Sequence, residues 1–225
     1  VRYCRSDPKT RVSSVKKIKM PTGIDEAAKF VRGAMLAYPE LYFARFVLLV
    51  EGDSERIVLP RLAEALDLLI DPAFVAIVPL GGLHVQHFWR LLTHLGIPHA
   101  TLLDLDLGRS GGGFGRVKTA IEKLIEFGVP KANLLKIEGG MLSDADFAKM
   151  HTWQDADDRK LLKGWVDCLK PHAVYFSAPL DLDLAMIAAF PDAYEAVIPK
   201  GGGPKMAVDK AAEVVLGTAG PGLAL

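Results

Sequence analysis

The sequence predicts an α/β fold, with a mostly parallel, Rossmann-like sheet flanked by helices. Three observations lead to it: short apolar runs of strand length recur along the chain, helix-like segments alternate with them, and three of the runs lead into acids. Such alternation favours parallel strands joined by right-handed crossovers. The predicted strands are 46–50, 74–78, 100–103 and 174–177, with a short extra strand at 195–198.

The helices between these strands are indicated by apolar residues at helical spacing. Two of them end at a glycine, Gly96 and Gly128, as helices commonly do. In the first helix, Ile57, Leu66 and Leu69 are among the residues expected to be buried. The predicted helices are 54–69, 84–95, 116–127, 183–190 and 206–216.

Two segments lie outside this alternation. Residues 1–44 are expected to be a lead-in or linker from a preceding domain, with a strand at 11–15 and a helix at 24–36. Residues 45–225 are expected to form the main domain, and a charged helical segment at about 140–170 is expected to be an insertion in it.

The composition is that of a folded domain, because 50% of the 225 residues are hydrophobic and 24% are charged. Lys+Arg and Asp+Glu are equal at 27 each, so the net charge is no argument for or against a nucleic-acid partner. Two cysteines, Cys4 and Cys168, fit a reducing cytoplasm, and no apolar run reaches the length of a membrane span. Because the sequence opens at Val1 in what reads as mid-strand, we expect a fragment of a longer protein.

Acidic side chains follow three of the predicted strands. Because the carboxyl ends of parallel strands meet at one edge of a sheet, we expect these acids to gather there. Carboxylates that close repel one another unless a positive charge lies among them, and Mg²⁺ is the usual solution. The pattern therefore predicts metal-assisted phosphoryl chemistry. The acids are Glu51, Glu55, Asp104, Asp106, Asp181 and Asp183.

Simpler roles remain open for several of these acids. Asp53 or Ser54 is a candidate N-cap of the first helix, with Glu55 as its capping-box partner. Asp181 and Asp183 are candidates for the N-cap and first turn of the helix at 183–190.

The second acidic pair has its own alternative. Asp104 and Asp106 share a face if the chain stays extended, but they are also placed to cap the glycine-rich stretch 108–115, which we expect to be a mobile loop. Ser177, at a strand end, is a candidate partner for a ligand carboxylate or a substrate.

A second glycine-rich stretch runs from Lys200 to Lys205. Its exposed backbone amides and Lys205 are suited to steady a phosphate or a developing negative charge. No Gly-Lys-Ser/Thr follows, so it is not a P-loop.

Two motifs carry a resemblance to a known family. Val50-Glu51-Gly52-x-x-Glu55 and Leu103-Asp104-Leu105-Asp106 resemble the Toprim domain of topoisomerases, primases and OLD (overcoming lysogenization defect) nucleases. Leu80-Gly81-Gly82 before the second helix, the later Asp-Leu-Asp and Lys205 in a glycine/proline loop favour OLD. The resemblance covers about residues 45–216.

The resemblance implies a Toprim-type fold and a DNA endonuclease that uses two divalent ions, Mg²⁺ or Mn²⁺, with Ca²⁺ as a supporting or non-productive ion. All six acids would share the ions, with Glu51, Asp104, Asp106 and Lys205 as the catalytic residues. The later pair is Asp/Asp where many relatives have Asp/Glu. An ATPase domain is expected elsewhere in the full-length protein, with a homodimer formed through it.

Other classes compete with this interpretation. Asp104-x-Asp106 also occurs in aspartyl-phosphate phosphatases, although Gly108 stands where those enzymes usually have Thr or Val. A receiver-like signalling domain also gathers acids and a lysine at strand ends. A third alternative is a Toprim domain that binds nucleic acid without catalysis.

Overall fold

A computed structural model of the chain describes residues 2–7, 9–17, 29, 32–33, 36–80, 85–137, 140–153 and 159–197. The predicted helix at 206–216, the Lys200–Lys205 loop with Lys205, and Gly81 and Gly82 lie outside the described residues, as does most of the predicted helix at 24–36. The chain divides into two compact units, 1–101 and 102–225, and each is described by itself.

A four-stranded parallel sheet with flanking helices confirms the predicted fold class. The strands are β3 (Phe46–Val50), β4 (Val75–Pro79), β5 (His99–Asp104) and β8 (Val174–Ser177). Each of them begins and ends within one residue of its predicted run. Their order in the sheet is β4-β3-β5-β8, and the non-consecutive neighbours show the crossovers expected of an α/β fold.

The described residues of the first unit include an antiparallel hairpin and the helices that follow β3 and β4. The hairpin pairs β1 (Arg2–Ser6) with β2 (Ser13–Lys17). Helix α1 (Asp53–Ala65) and helix α2 (Val85–Leu95) follow β3 and β4. A short 3₁₀ turn at Pro39–Tyr42 precedes β3.

Helix α1 ends earlier than predicted. It ends at Ala65, and Asp67 then adopts a left-handed φ of 56°, which an α-helix cannot continue through. Leu66 and Leu69 consequently lie in the turn that follows, where they are 69% and 68% exposed. Ile57 is also exposed, at 70%, so the predicted burial of these three residues is wrong.

The other described α-helices lie in the second unit. Its core is apolar and includes Phe114, Ile121 and Trp165, each at most 1% exposed. Gly128 ends α3 with a φ of 116°, as predicted for a helix-terminating glycine. The helices are α3 (Phe114–Phe127), α4 (Lys131–Leu134), α5 (Asp144–Lys149), α6 (Arg159–Leu169), α7 (Leu182–Ala189) and α8 (Pro191–Ala196).

Two further features belong to the described part of the second unit. Strands β6 (Lys136–Ile137) and β7 (Gly140–Met141) form a two-residue antiparallel pair. The predicted strand at 195–198 is wrong, because Pro191–Ala196 is helical. Pro191 stands at the start of that helix, where its fixed φ and missing N–H favour helix initiation.

Candidate functional site

Two acids of the candidate set lie at the start of α1 in the first unit. Glu51 follows the last residue of β3 and is half-buried, whereas Glu55 is only 4% exposed. The backbone N–H of Gly52, the N-cap, donates to Oε2 of Glu55 over 2.9 Å. This bond forms one arm of a capping box. The capping role of Glu55 is confirmed, with Gly52 as the N-cap in place of Asp53 or Ser54.

Asp104, the last residue of β5, is positioned by the end of β8. The Ser177 hydroxyl donates to Oδ1 of Asp104 over 2.6 Å and lies 3.3 Å from the carbonyl oxygen of Leu103. The backbone N–H of Leu105 donates to the Ser177 carbonyl over 3.0 Å. Ser177 therefore fixes the orientation of the Asp104 carboxylate.

Asp106 departs from the geometry that the Asp-x-Asp spacing predicts. The strand ends at Asp104, and Asp106 has a left-handed φ of 52°, so the chain does not stay extended between the two acids. The two side chains are therefore not placed on one face by strand alternation. Aspartate tolerates this conformation better than most residues.

The Asp106 carboxylate is paired with two arginines. Nη1 of Arg109 donates to Oδ1 over 2.7 Å, and Nε of Arg116 donates to Oδ2 over 2.7 Å. Nη2 of Arg116 also bonds Oδ2. With Asp106 only 7% exposed, these guanidinium groups compensate a carboxylate that would otherwise be buried as an uncompensated charge.

Asp181 shares one of these arginines and caps a helix. Its Oδ1 accepts from the backbone N–H of Leu184 over 2.8 Å, which confirms Asp181 as the N-cap of α7. Its Oδ2 lies 3.3 Å from Nη2 of Arg109. Asp183 occupies the first turn of α7 and is exposed. Arg109 thus bridges Asp106 and Asp181.

Neither arginine is predicted from the sequence, where a metal ion is the expected positive charge among the acids. In the second unit Arg109 and Arg116 supply positive charge to Asp106 and Asp181. One signal was present: Arg109 follows Asp106 by three residues, inside the glycine-rich stretch.

The glycine-rich stretch is packed against Asp106. A Cβ on Gly112 would lie 1.7 Å from the carbonyl oxygen of Asp106, closer than any side chain allows. The backbone N–H of Gly113 donates to Leu105 over 2.7 Å, and that of Arg109 donates to Asp106 over 2.9 Å. The geometry therefore does not support the expectation of a mobile loop. The glycines let the backbone reach the Asp106 turn.

The donor chemistry of the site fits divalent cations only in part. Asp104 fits, because an oriented carboxylate with a hydroxyl partner is typical of metal ligands. Asp106 and Asp181 bind guanidinium groups, which a metal would have to displace. Among the described residues, no group of three or more His, Cys, Asp or Glu side chains is placed to hold a metal ion.

Acids lie at the ends of two neighbouring strands of the parallel sheet, Glu51 just after β3 and Asp104 at the end of β5. Residues 42–106 match the family described as "Overcoming lysogenization defect protein-like, TOPRIM domain". This match agrees, over these residues, with the resemblance seen in the sequence. The matched segment contains Glu51, Glu55, Asp104 and Asp106. An OLD-like Toprim domain indicates a nucleic-acid-related, metal-binding function.

Solved structures match part of the chain at low sequence identity. The C-terminal region of the Xanthomonas campestris pv. campestris OLD protein is 22% identical, with a TM-score of 0.47 over 74% of this chain and 65% of that chain. The C-terminal region of the Burkholderia pseudomallei OLD protein is 21% identical, with a TM-score of 0.48 over 76% of this chain and 74% of that one. No curated protein matches the chain.

Within the part of the chain that the structure describes, none of the helices combines the length and the apolar character that crossing a bilayer requires.

Proposed function

We propose that the chain is the catalytic part of a divalent-metal-dependent endonuclease that hydrolyses DNA phosphodiester bonds with two Mg²⁺ or Mn²⁺ ions. The observation that carries the proposal is the OLD-like Toprim match over residues 42–106, which contains four of the six acids. Ca²⁺ is proposed as a supporting or non-productive ion. The ATPase domain and the homodimer stay predictions from the resemblance, and the cytoplasmic setting stays a prediction from the two cysteines.

The proposed ligands are the acids singled out in the sequence. Two such ions, when bound, activate a water molecule and stabilise the leaving oxygen. Among the acids of the second unit, Asp104 is the best prepared, because Ser177 already orients it. Lys205 is proposed to stabilise the charge that develops on the phosphate. The proposed ligands are Glu51, Glu55, Asp104, Asp106, Asp181 and Asp183.

Arg109 and Arg116 are proposed to act as positioning residues. Arg116, whose side chain is 23% exposed, keeps the buried Asp106 compensated. Arg109 is more accessible, at 43% exposure, and lies against Asp106 and Asp181. We expect the Arg109 guanidinium to be displaced when Asp106 and Asp181 bind a cation.

Cleavage of supercoiled plasmid DNA tests the proposal. We expect the wild-type protein to cleave in Mg²⁺ or Mn²⁺ and to stop in EDTA, and Asp104→Ala to abolish cleavage with an unchanged circular dichroism spectrum. Asp144→Ala is the matched control, because Asp144 lies on α5 with a side chain that is 83% exposed. Cleavage by Asp104→Ala at the wild-type rate would reject the assignment.

A second function is favoured by the arginine pairing itself. A Toprim domain whose acids are held by guanidinium groups is suited to bind nucleic acid without hydrolysing it. In that case Mn²⁺ would give no heat in a calorimetric titration, while DNA binding would persist. Incubation with acetyl phosphate distinguishes both from a phosphatase or receiver, because a stable phosphoryl adduct is not expected of metal-assisted hydrolysis by water.

A further inference from the structure

A basic cleft lies in the second unit, apart from the acids described above. It has a volume of about 770 Å³ and lies along α6 and the α4–β6 segment. We call it the α6 cleft. Its lining includes Asn133, Lys136, Lys160, Lys163, Asp167 and Cys168.

The charge of the α6 cleft is strongly one-sided. Asp167 is the one acid among its described lining residues, and it is shared by Lys170 at 2.6 Å and Lys163 at 2.9 Å. These two lysines also hold the pKa of Asp167 below its ordinary value. Within the described residues, the ammonium groups of Lys136 and Lys160 have no hydrogen bond or ion pair, so their charges are available to a ligand.

The spacing of the lysines suits an extended anion. Lys160 and Lys163 are three residues apart on α6 and therefore project from the same side of that helix. Lys136 approaches from β6, so the cations come from two separate elements. Among the described lining residues, His172 is the one aromatic side chain, and no Phe, Tyr or Trp ring is present for bases to stack on. Lysines contact phosphates without reading sequence, because they act as flexible point charges.

We propose that the α6 cleft binds the sugar-phosphate backbone of DNA and holds the substrate independently of its sequence. The inference rests on the proposed function for the identity of the polyanion. It adds a binding surface built from Lys136, Lys160 and Lys163, none of which belongs to the acidic site. The free energy comes from the counterions that the phosphates release.

DNA binding measured in EDTA tests this surface without any cleavage. Fluorescence anisotropy with a labelled duplex should give an affinity about tenfold lower for the Lys136→Ala/Lys160→Ala double variant at moderate salt. The slope of log affinity against log salt should fall by about 2, roughly 1 for each lysine. Lys136→Arg/Lys160→Arg should restore both, because the charge returns.

The matched control removes the same charge elsewhere in the unit. Lys123→Ala/Lys149→Ala changes lysines on α3 and α5 that do not line the α6 cleft. Equal losses of DNA affinity in the two double variants would overturn the proposal.

Inorganic phosphate that displaces DNA at constant ionic strength would also overturn the proposal, since the ligand of the cleft would then be a small anion. If the wild-type protein cleaves DNA but the Lys136→Ala/Lys160→Ala variant binds DNA as tightly as the wild type, only the proposal of a DNA-binding cleft is refuted. If the cleft binds DNA but the wild-type protein does not cleave it, only the proposal of a nuclease is refuted.

Cys168 provides a reporter inside the same cleft. Its Sγ lies 3.8 Å from the Leu134 carbonyl oxygen and 3.7 Å from that of Lys136, and burial raises the pKa of its thiol. In a Cys4→Ser background it is the one remaining cysteine. When both cleft lysines are present, DNA should lower the rate at which a maleimide modifies Cys168 several-fold. In the Lys136→Ala/Lys160→Ala background, DNA should leave that rate unchanged. Equal rates with and without DNA in the wild-type cleft would contradict the proposal.

Discussion

Ser177 donates its hydroxyl hydrogen to Oδ1 of Asp104 over 2.6 Å, and this bond joins the end of β8 to the end of β5. The two residues are far apart in the sequence, yet the neighbouring strands bring them together. The bond makes Asp104 the acid of the second unit whose geometry best suits a cation ligand.

Removing the Ser177 hydroxyl tests whether that orientation matters. We expect Ser177→Ala to weaken Mn²⁺ affinity by about tenfold or more, because an unsupported ligand carboxylate loses its preferred direction. The free energy of unfolding should fall by only about 1 kcal/mol. Ser177→Thr keeps a hydroxyl and serves as the control in calorimetric titration and urea unfolding. Unchanged Mn²⁺ affinity in Ser177→Ala would show that the bond is purely structural.

The pairing of Arg116 with Asp106 is expected to be a stabilising interaction. Arg116→Ala should lower the free energy of unfolding by about 3 kcal/mol, because it removes one of the two cations of a buried carboxylate. Asp106→Asn removes the charge while tolerating the left-handed φ of 52°. In a double-mutant cycle measured by urea unfolding, the Arg116→Ala/Asp106→Asn variant should lose less free energy of unfolding than the two single variants lose together. Losses of free energy that simply add would contradict the pairing.

The close approach of the glycine-rich stretch to Asp106 makes a sharp prediction for Gly112. Gly112→Ala should lower the free energy of unfolding by about 3 kcal/mol or more, because its Cβ would overlap the Asp106 carbonyl and displace the backbone. Gly111→Ala is the control: no atom lies within 4 Å of its Cβ, and its φ of 77° should cost about 1 kcal/mol. If thermal unfolding shows the same loss of stability in Gly112→Ala and Gly111→Ala, the close approach of Gly112 to the Asp106 carbonyl is contradicted.

His99 is expected to make stability depend on pH. Burial lowers the pKa of His99 below its ordinary 6.5, against a smaller opposing effect of the hydrogen bond to the Ile97 carbonyl. Below about pH 6.5 the unfolded chain therefore binds more protons than the folded protein, and the free energy of unfolding falls as the pH drops through this window.

The His99→Gln variant should lose this part of the pH dependence in urea unfolding at pH 5 and pH 8. His94→Gln is the control, since His94 is exposed. An identical pH profile for His99→Gln and the wild-type protein would refute the role of His99.

The parts of the fold that the sequence predicted are those with local causes. The four sheet strands follow from apolar runs, and Gly128 ends α3 because glycine reaches the left-handed conformation. The capping roles of Glu55 and Asp181 also follow from local hydrogen bonds to the backbone at helix starts.

The parts that failed depend on tertiary contacts or on single backbone torsions. Arg109 reaches Asp181 only after β5 and β8 have paired, so spacing along the chain does not reveal it. The left-handed φ of Asp106 ends the alternation that the Asp-x-Asp spacing assumes. The positions of the six acids in the sequence predicted their places at strand and helix ends, but the charges that compensate Asp106 are visible only in the folded structure.

Calorimetric titration with Mn²⁺ is the sharpest test of the two-ion nuclease, because it counts bound ions independently of DNA. We expect the wild-type protein to bind two ions and Asp104→Ala to lose at least one of them, while Asp144→Ala binds as the wild type does. No Mn²⁺ binding by the wild-type protein, or equal stoichiometry and affinity in Asp104→Ala, would contradict it.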